Sequence, residues 1–491
     1  MKKIIIITII FISKLISVIY LLYLENCQFP KTLYSFSGDA TSYIMPWENL
    51  IQTGSYSWAD NSPYAGRMPF VGLPFFLFRL FFSFETSLNL VVLLQLLLSS
   101  ISIYYMGVLL QKIITKNFNN NDKRISILFW SYVIFSIISL YNTSLDYHIL
   151  SESLTTSFLC LFAYSYYIYL SEKRNIKQLL IFSIFLTLSI LWKPYYGLLY
   201  LLVGIEFLIH NFSNNYLSFY NKLKKTFLYS ILSFSPLIII DTPWIIRNYI
   251  TFNKFIPLQK DIYAEYYEDW YLEYMYFTKK IGESIVFWDK RSFGCYFEDF
   301  NEFGCEYKLP NRILGNNLTK EKIEEQKKLF LLLKKNPKDS LLKKRVIDGF
   351  RNLFNDYIKD HPYSYWIVPP IIHIKRFLFH SGSYYFPLHK NLPCYNVVHL
   401  IIKLVQSLLY YLCLILGFLG LLKLLFKDNK SFILLSIPTY TIIIICIVFL
   451  LDEFRYFHPS YPFLSFGMLF LFFDILYRFK IFKIFNSKKI N

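Results

Sequence analysis

Charged side chains beside long apolar runs are the residues best placed to do chemistry in this sequence, because a charge near hydrocarbon is costly to keep. The first group is Asp39-Ala40-Thr41-Ser42-Tyr43, followed by Gly54-Ser55-Tyr56, Asp60 and Arg67-Met68-Pro69. Asp146, His148 and Glu152 form a second group, and Lys193 stands alone in Trp192-Lys193-Pro194. Arg247 ends an apolar run, and Arg455 and His458 lie in Asp452-Glu453-Phe454-Arg455-Tyr456-Phe457-His458-Pro459. If these ends meet, carboxylates and cations share one cavity. That set suits transfer of a group away from a phosphate. A carboxylate can take the acceptor's proton, and Arg or Lys can hold the departing phosphate. Each residue also has a plainer use. Lys193, Arg247 and Arg455 can anchor helices at a membrane interface. Asp39 can cap a helix, and Glu152 can sit in a first turn where the helix dipole favours it. Residue types alone therefore point to a polar site at helix ends and to no named reaction.

The elements that must position these residues are apolar helices. Of 491 residues 55% are hydrophobic, and they fall in runs close to the roughly 20 residues that cross a bilayer core. A soluble fold cannot hide this many helices that are apolar all round. Ten runs are predicted to span: Ile4 to Leu24, Ser87 to Leu110, Ile125 to Leu140, Leu154 to Leu170, Leu179 to Trp192, Tyr196 to Ile209, Phe227 to Ile246, Val397 to Leu425, Phe432 to Leu451 and Tyr461 to Tyr477. The fifth and sixth are short and flank Lys193-Pro194, so a re-entrant hairpin also fits there. The expected fold is an all-α polytopic bundle with one large, mostly helical, water-facing segment. The N-terminal run is too long for a signal peptide and lacks a small-residue cleavage site, so it is expected to be retained.

The net charge of +18 sets the orientation. Basic residues gather in alternate short connections: Lys112, Lys116, Lys123 and Arg124; Lys173, Arg174 and Lys177; Lys222, Lys224 and Lys225; Lys423, Lys427 and Lys430; and the tail from Arg478 to Lys489. This is the positive-inside pattern, with both termini cytoplasmic in a bacterial-type inner or plasma membrane. Residues 1–247 are then an N-terminal membrane region with an outer loop at 25–86. Residues 248–395 form an extracytoplasmic segment, and residues 396–491 a C-terminal membrane region. Within the long segment, Lys320 to Asp360 is predicted to form amphipathic helices broken at Asn336-Pro337. Residues 69–84 are too interrupted to span and are expected to lie along the interface.

Because the membrane explains the charge, nucleic acid is not an expected partner. A phosphate-cradling Gly-rich loop and an RNA-binding aromatic motif are both missing from the sequence. No cluster has ligand spacing diagnostic of a metal, so a divalent cation is neither required nor excluded. Cys160, Cys413 and Cys446 fall within apolar runs and are expected as small core residues. Cys27, Cys295, Cys305 and Cys394 fall outside them. Cys295 and Cys305 are near enough to pair, and two free thiols fit the spacing equally well.

Three stretches, in order, resemble the GT-C membrane glycosyltransferases, in particular bacterial members of the protein-O-mannosyltransferase and aminoarabinose–lipid A transferase group (glycosyltransferase family 39-like). They are Asp39 to Pro69; Pro243-Trp244-Ile245-Ile246-Arg247-Asn248-Tyr249 continuing to Leu258; and Glu453-Phe454-Arg455-Tyr456 with Pro459 and Pro462. The resemblance covers most of the membrane part and leaves 261–380 largely unmatched. It implies a GT-C-like bundle and a sugar donor carried on polyprenyl phosphate, with an acceptor (lipid, glycan or protein) that the sequence does not name. Asp39 would be the catalytic carboxylate. Arg67, Lys193, Arg247 and Arg455 would hold the donor phosphate, with Tyr43, Glu152 and His458 also lining the substrate site. The chain departs from that pattern at Ala40, where relatives often carry a second acid. It departs again at Arg67-Met68-Pro69, where the aminoarabinose transferases place a basic residue before two prolines. A non-enzymatic transporter or flippase of lipid-linked saccharides is the competing class. It would favour repeat symmetry and sites near the midplane; the two halves of this chain show no repeat, and the charges gather at helix ends.

Overall fold

The computed structural model describes residues 2–36, 38–58, 62–118, 125–172, 175–212, 218–260, 267–286, 290–298, 304–380 and 396–478. Regular structure among them is helical. Extended backbone pairs only at two isolated bridges, Ser35 with His148 and Ser57 with Pro63. Six helical stretches among the described residues are long and apolar enough to cross a membrane: Lys2–Asn26, Phe84–Lys116, Phe219–Phe252, Val397–Lys427, Asn429–Val448 and Phe454–Arg478. The chain divides into two compact units. Asp60 and Cys394 lie outside the described residues, as do Lys123, Arg124, Lys173, Arg174 and the basic tail beyond Arg478.

The first unit comprises Met1–Gln259, His380–Thr441 and Arg455–Asn491. Among the described residues its α-helices up to Phe252 are, in chain order, α1 (Lys2–Asn26), α2 (Gly38–Thr53), α3 (Pro69–Arg79), α4 (Phe84–Phe118), α5 (Ile125–Ile138), α6 (Glu152–Ser171), α7 (Ile176–Trp192), α8 (Leu199–Phe212) and α9 (Phe219–Phe252). α6 is central. It packs on α4 and α7 and is buried along nearly its whole length. Its sequence is rich in Ser and Thr, which burial would penalise if they stayed unpaired. Thr155, Thr156, Ser157 and Ser165 instead donate to carbonyls one turn back.

α7 stops at Trp192 because Pro194 disfavours helical backbone at Lys193, which is extended (φ −139°, ψ 92°). A short 3-10 turn, Pro194–Leu198, leads into α8. At the other end of the sequence, Val397–Lys427 and Tyr461–Arg478 pack against each other closely. Gly417, Gly420 and Gly467 allow this: a Cβ on Gly420 would collide with the Gly467 carbonyl oxygen, and one on Gly417 would meet that of Leu464. Small residues let apolar helices approach backbone to backbone where lipid supplies no hydrophobic drive.

The second unit comprises Lys260–Phe379 and Ile442–Phe454. The predicted break at Asn336-Pro337 separates helices Lys320–Lys335 and Ser340–Asp360, and Thr319 and Asp339 cap them through Lys322 N and Leu342 N. Ile323, Gln326, Phe330 and Leu333 on one helix, and Leu342, Val346, Phe350, Leu353 and Tyr357 on the other, recur every three or four residues and are buried. They enclose an aromatic core with Tyr274, Phe277, Phe293 and Phe297. Cys295 and Cys305 are paired, with Cα atoms 5.8 Å apart.

Candidate functional site

The site is built in the first unit where four chain breaks meet. Asp39 lies in the first turn of α2, where the positive end of the helix dipole favours a carboxylate; its backbone carbonyl accepts from Ser42 Oγ at 2.6 Å. Glu152 opens α6 and is 1% exposed. Lys193 occupies the break after α7. Arg455 sits in the 3-10 segment Phe454–Ser460, just before the last helix.

Two arginines grip Asp39. Arg455 Nη2 lies 2.5 Å from Asp39 Oδ2, and Arg67 Nη2 lies 3.3 Å from Asp39 Oδ1. Arg67 Nε also donates to Ser42 Oγ at 3.2 Å, and its guanidinium stands over the Tyr43 ring at 4.8 Å. Lys193 Nζ donates to Glu152 Oε1 at 2.7 Å and sits 4.3 Å from the centre of the Tyr456 ring. Arg455 Nε is 3.8 Å from the same Glu152 oxygen, so Arg455 joins both carboxylates into one network. Three cations (Arg67, Lys193, Arg455) face two carboxylates (Asp39, Glu152), which leaves one formal positive charge in excess. Exposure rises from 1% at Glu152 through 15–16% at the two arginines to 32% at Asp39. The network is thus buried at Glu152 and open at Asp39.

Burial by itself would raise the Asp39 pKa. Arg455 and Arg67 outweigh it, and the carboxyl is held below its ordinary 3.8. Burial opposes the charge on Arg67, but Tyr43 and Asp39 outweigh that and hold the guanidinium more firmly protonated.

Two residues expected at this site are placed differently. Arg247 does not touch Asp39. It donates to two backbone carbonyls, of Tyr64 at 2.7 Å and Tyr56 at 3.0 Å, and packs on the rings of Trp244, Tyr56 and Phe252. It therefore clamps both arms of the loop that leads to Arg67. His458 is buried, with Nδ1 3.2 Å from Thr156 Oγ1 and Nε2 2.8 Å from the Tyr141 carbonyl oxygen. A ring engaged at both nitrogens braces the start of α6 and offers little to a ligand. Asp146 is likewise engaged, by Lys14 Nζ at 2.6 Å and Ser153 Oγ at 2.5 Å.

Sequence reasoning assigned no role to Ser42 or Tyr456, which join this network, and overlooked Lys14, which holds the neighbouring Asp146. Lys14 carried a usable signal, since a lone lysine inside the apolar run of α1 asks for a partner. It is fully buried and also donates to Ser99 Oγ and the Asn142 carbonyl. Among the described residues, no group of three or more His, Cys, Asp or Glu side chains comes together that could hold a metal ion. No protein-family model, curated protein or solved structure matches this chain.

Proposed function

We propose that this chain is a GT-C type membrane glycosyltransferase that moves a sugar from a polyprenyl-phosphate donor to an acceptor on the extracytoplasmic side. One observation carries the proposal: a partly exposed carboxylate, Asp39, lies between Arg67 and Arg455, with Lys193 and Glu152 behind them and one cation in excess. The resemblance of the stretches around Asp39 and Arg455 to that family supports it. In the reaction, the acceptor's hydroxyl or amine attacks the anomeric carbon. The new bond forms as the bond from that carbon to the phosphate oxygen breaks, and its electron pair leaves with polyprenyl phosphate. Arg67, Arg455 and Lys193 neutralise the departing phosphate, and Asp39 receives the acceptor's proton. Glu152 keeps Lys193 and Arg455 in place.

In this proposal all ten apolar runs cross the membrane. Four do so on helices outside those six: α5, α7 and α8 are shorter, and α6 carries several Ser and Thr and is buried along nearly its whole length. Both termini are cytoplasmic, as the basic connections indicate.

The test is transfer by purified protein in proteoliposomes containing lipid-phosphate sugars, together with surface glycan and lipid analysis with and without the gene. Asp39→Asn keeps the shape and removes the base. It should lower transfer by about 10²–10⁴-fold while expression and membrane insertion stay normal. Transfer at the unmodified rate would remove Asp39 from this role. Movement of lipid-linked saccharide between leaflets with no transfer would favour the transporter class.

A further inference from the structure

The helix Ser364–Leu378 in the second unit has two different sides. Pro369, His373 and Phe377 are buried; His373 Nε2 is 3.1 Å from the Lys279 carbonyl oxygen, and Gly282, at φ +75°, leaves room for Pro369 where a Cβ would press within 3.1 Å of its Cα. Tyr363, Ile367 and Ile371 recur every four residues on another side and are 82%, 59% and 57% exposed, with Trp366 beside them at 65%. Lys280 stands 5.5 Å from the centre of the Trp366 ring. Scattered apolar residues on a surface need no explanation, but a run of four large ones on one helix does.

The neighbour of this helix says what covers them. The helix packs against Ile443–Val448, and these are the last residues of the candidate span Asn429–Val448. Within that segment Ile443, Ile447 and Val448 are themselves 44%, 45% and 58% exposed. Asp452, four residues past the end of the span, is 3.5 Å from Arg376 and 3.8 Å from His373. The helix is therefore tied, by packing and by an ion pair, to the level at which a span ends. Trp and Tyr favour that level, and a nearby lysine can keep its charge among headgroups.

We propose that Ser364–Leu378 is an in-plane helix that docks on the lipid surface, with Tyr363, Trp366, Ile367 and Ile371 among the outer acyl carbons. The proposal rests on Asn429–Val448 being a span, and the test separates the two. Spin labels are placed on the full chain in lipid nanodiscs by Trp366→Cys, Ile367→Cys and Ile371→Cys. Ile443→Cys reports the span, and Lys335→Cys and Lys344→Cys report exposed polar sites of the same unit. The three free native cysteines given by the structure are all buried. Oxygen should relax the labels at 366, 367, 371 and 443 more than a water-soluble nickel chelate does, with the order reversed at 335 and 344. The first three should lie about 5–10 Å into the headgroup–acyl boundary. Nickel dominance at 366, 367 and 371 but not at 443 overturns the proposal alone; nickel dominance at all four overturns the span as well. Labels shielded from both reagents and broadened by one another would mean that a second copy covers the face, which also overturns it. Unmodified protein in liposomes with a photoactivatable acyl chain provides a check free of substitutions: adducts should map to Tyr363–Ile371, and their absence there overturns the proposal.

Discussion

Two effects of opposite sign act on the Asp39 carboxyl, and the charge of its neighbours wins. Burial favours the protonated form, whereas Arg455 and Arg67 favour the ionised one, so the folded-state pKa lies below the ordinary value. The linkage follows from that direction. A carboxyl with a depressed pKa adds stability that is present above its unfolded value and is lost as pH falls through its folded value. A carboxylate so well paired is also a weak base. In the proposed reaction the donor phosphate draws on the same guanidiniums and brings negative charge, and both changes raise the Asp39 pKa toward a useful value. The pH profile should show this. The acid limb of kcat, which reports the substrate complex, should lie at higher pH than the acid limb of kcat/KM, which reports the free enzyme. Superimposed limbs would mean that Asp39 is not the group that titrates.

Among the elements, the loop from Gly54 to Met68 is held from outside by Arg247. Within its described residues Trp58 N donates to the Ser62 carbonyl and Tyr64 N to that of Tyr56. Arg247 reaches from α9 to bind two of its carbonyls at once, and a planar fork with several donors suits that task where a lysine would not. The end of α9 is in turn fixed by Asn248 Nδ2 donating to the Ile256 carbonyl and Trp244 Nε1 to that of Leu258. Arg247→Gln should therefore destabilise the protein by about 1–2 kcal/mol and lower transfer indirectly, by loosening Arg67. Arg455→Gln should weaken donor affinity with a smaller loss of stability. Equal thermal stability of Arg247→Gln and unmodified protein, with donor affinity lost, would return Arg247 to phosphate binding.

For the whole molecule, the orientation predicted from the basic connections can be checked in intact cells. A cysteine introduced at Lys344 should react with a membrane-impermeant reagent, and one at Lys489 should react only after permeabilisation. Reaction at 489 in intact cells would invert the topology. Much of the molecule is legible in its amino-acid sequence. Each predicted apolar run falls largely on helix, and six helical stretches among the described residues are long and apolar enough to span, because length and apolarity are local properties. The helices on either side of Asn336 were also readable, because caps and a three-to-four residue repeat are written in adjacent residues. Asp39, Glu152, Lys193 and Arg455 stood out for the cost of placing charge beside apolar runs. Their pairing could not be read: Glu152 meets Lys193, and Asp39 meets Arg67 and Arg455, across separations that only packing brings together. The same holds for Arg247 and His458, whose residue types suit a ligand equally well but whose atoms are spent on backbone carbonyls and Thr156. It holds again for Ile442–Phe454, which joins the second unit although it continues an apolar run. The sequence by itself determined where the apolar helices run and which residues carry charge at their ends. The tertiary structure alone decided which charges neutralise one another, because a side chain's partner is set by approach in space, and a one-dimensional pattern holds no record of that distance.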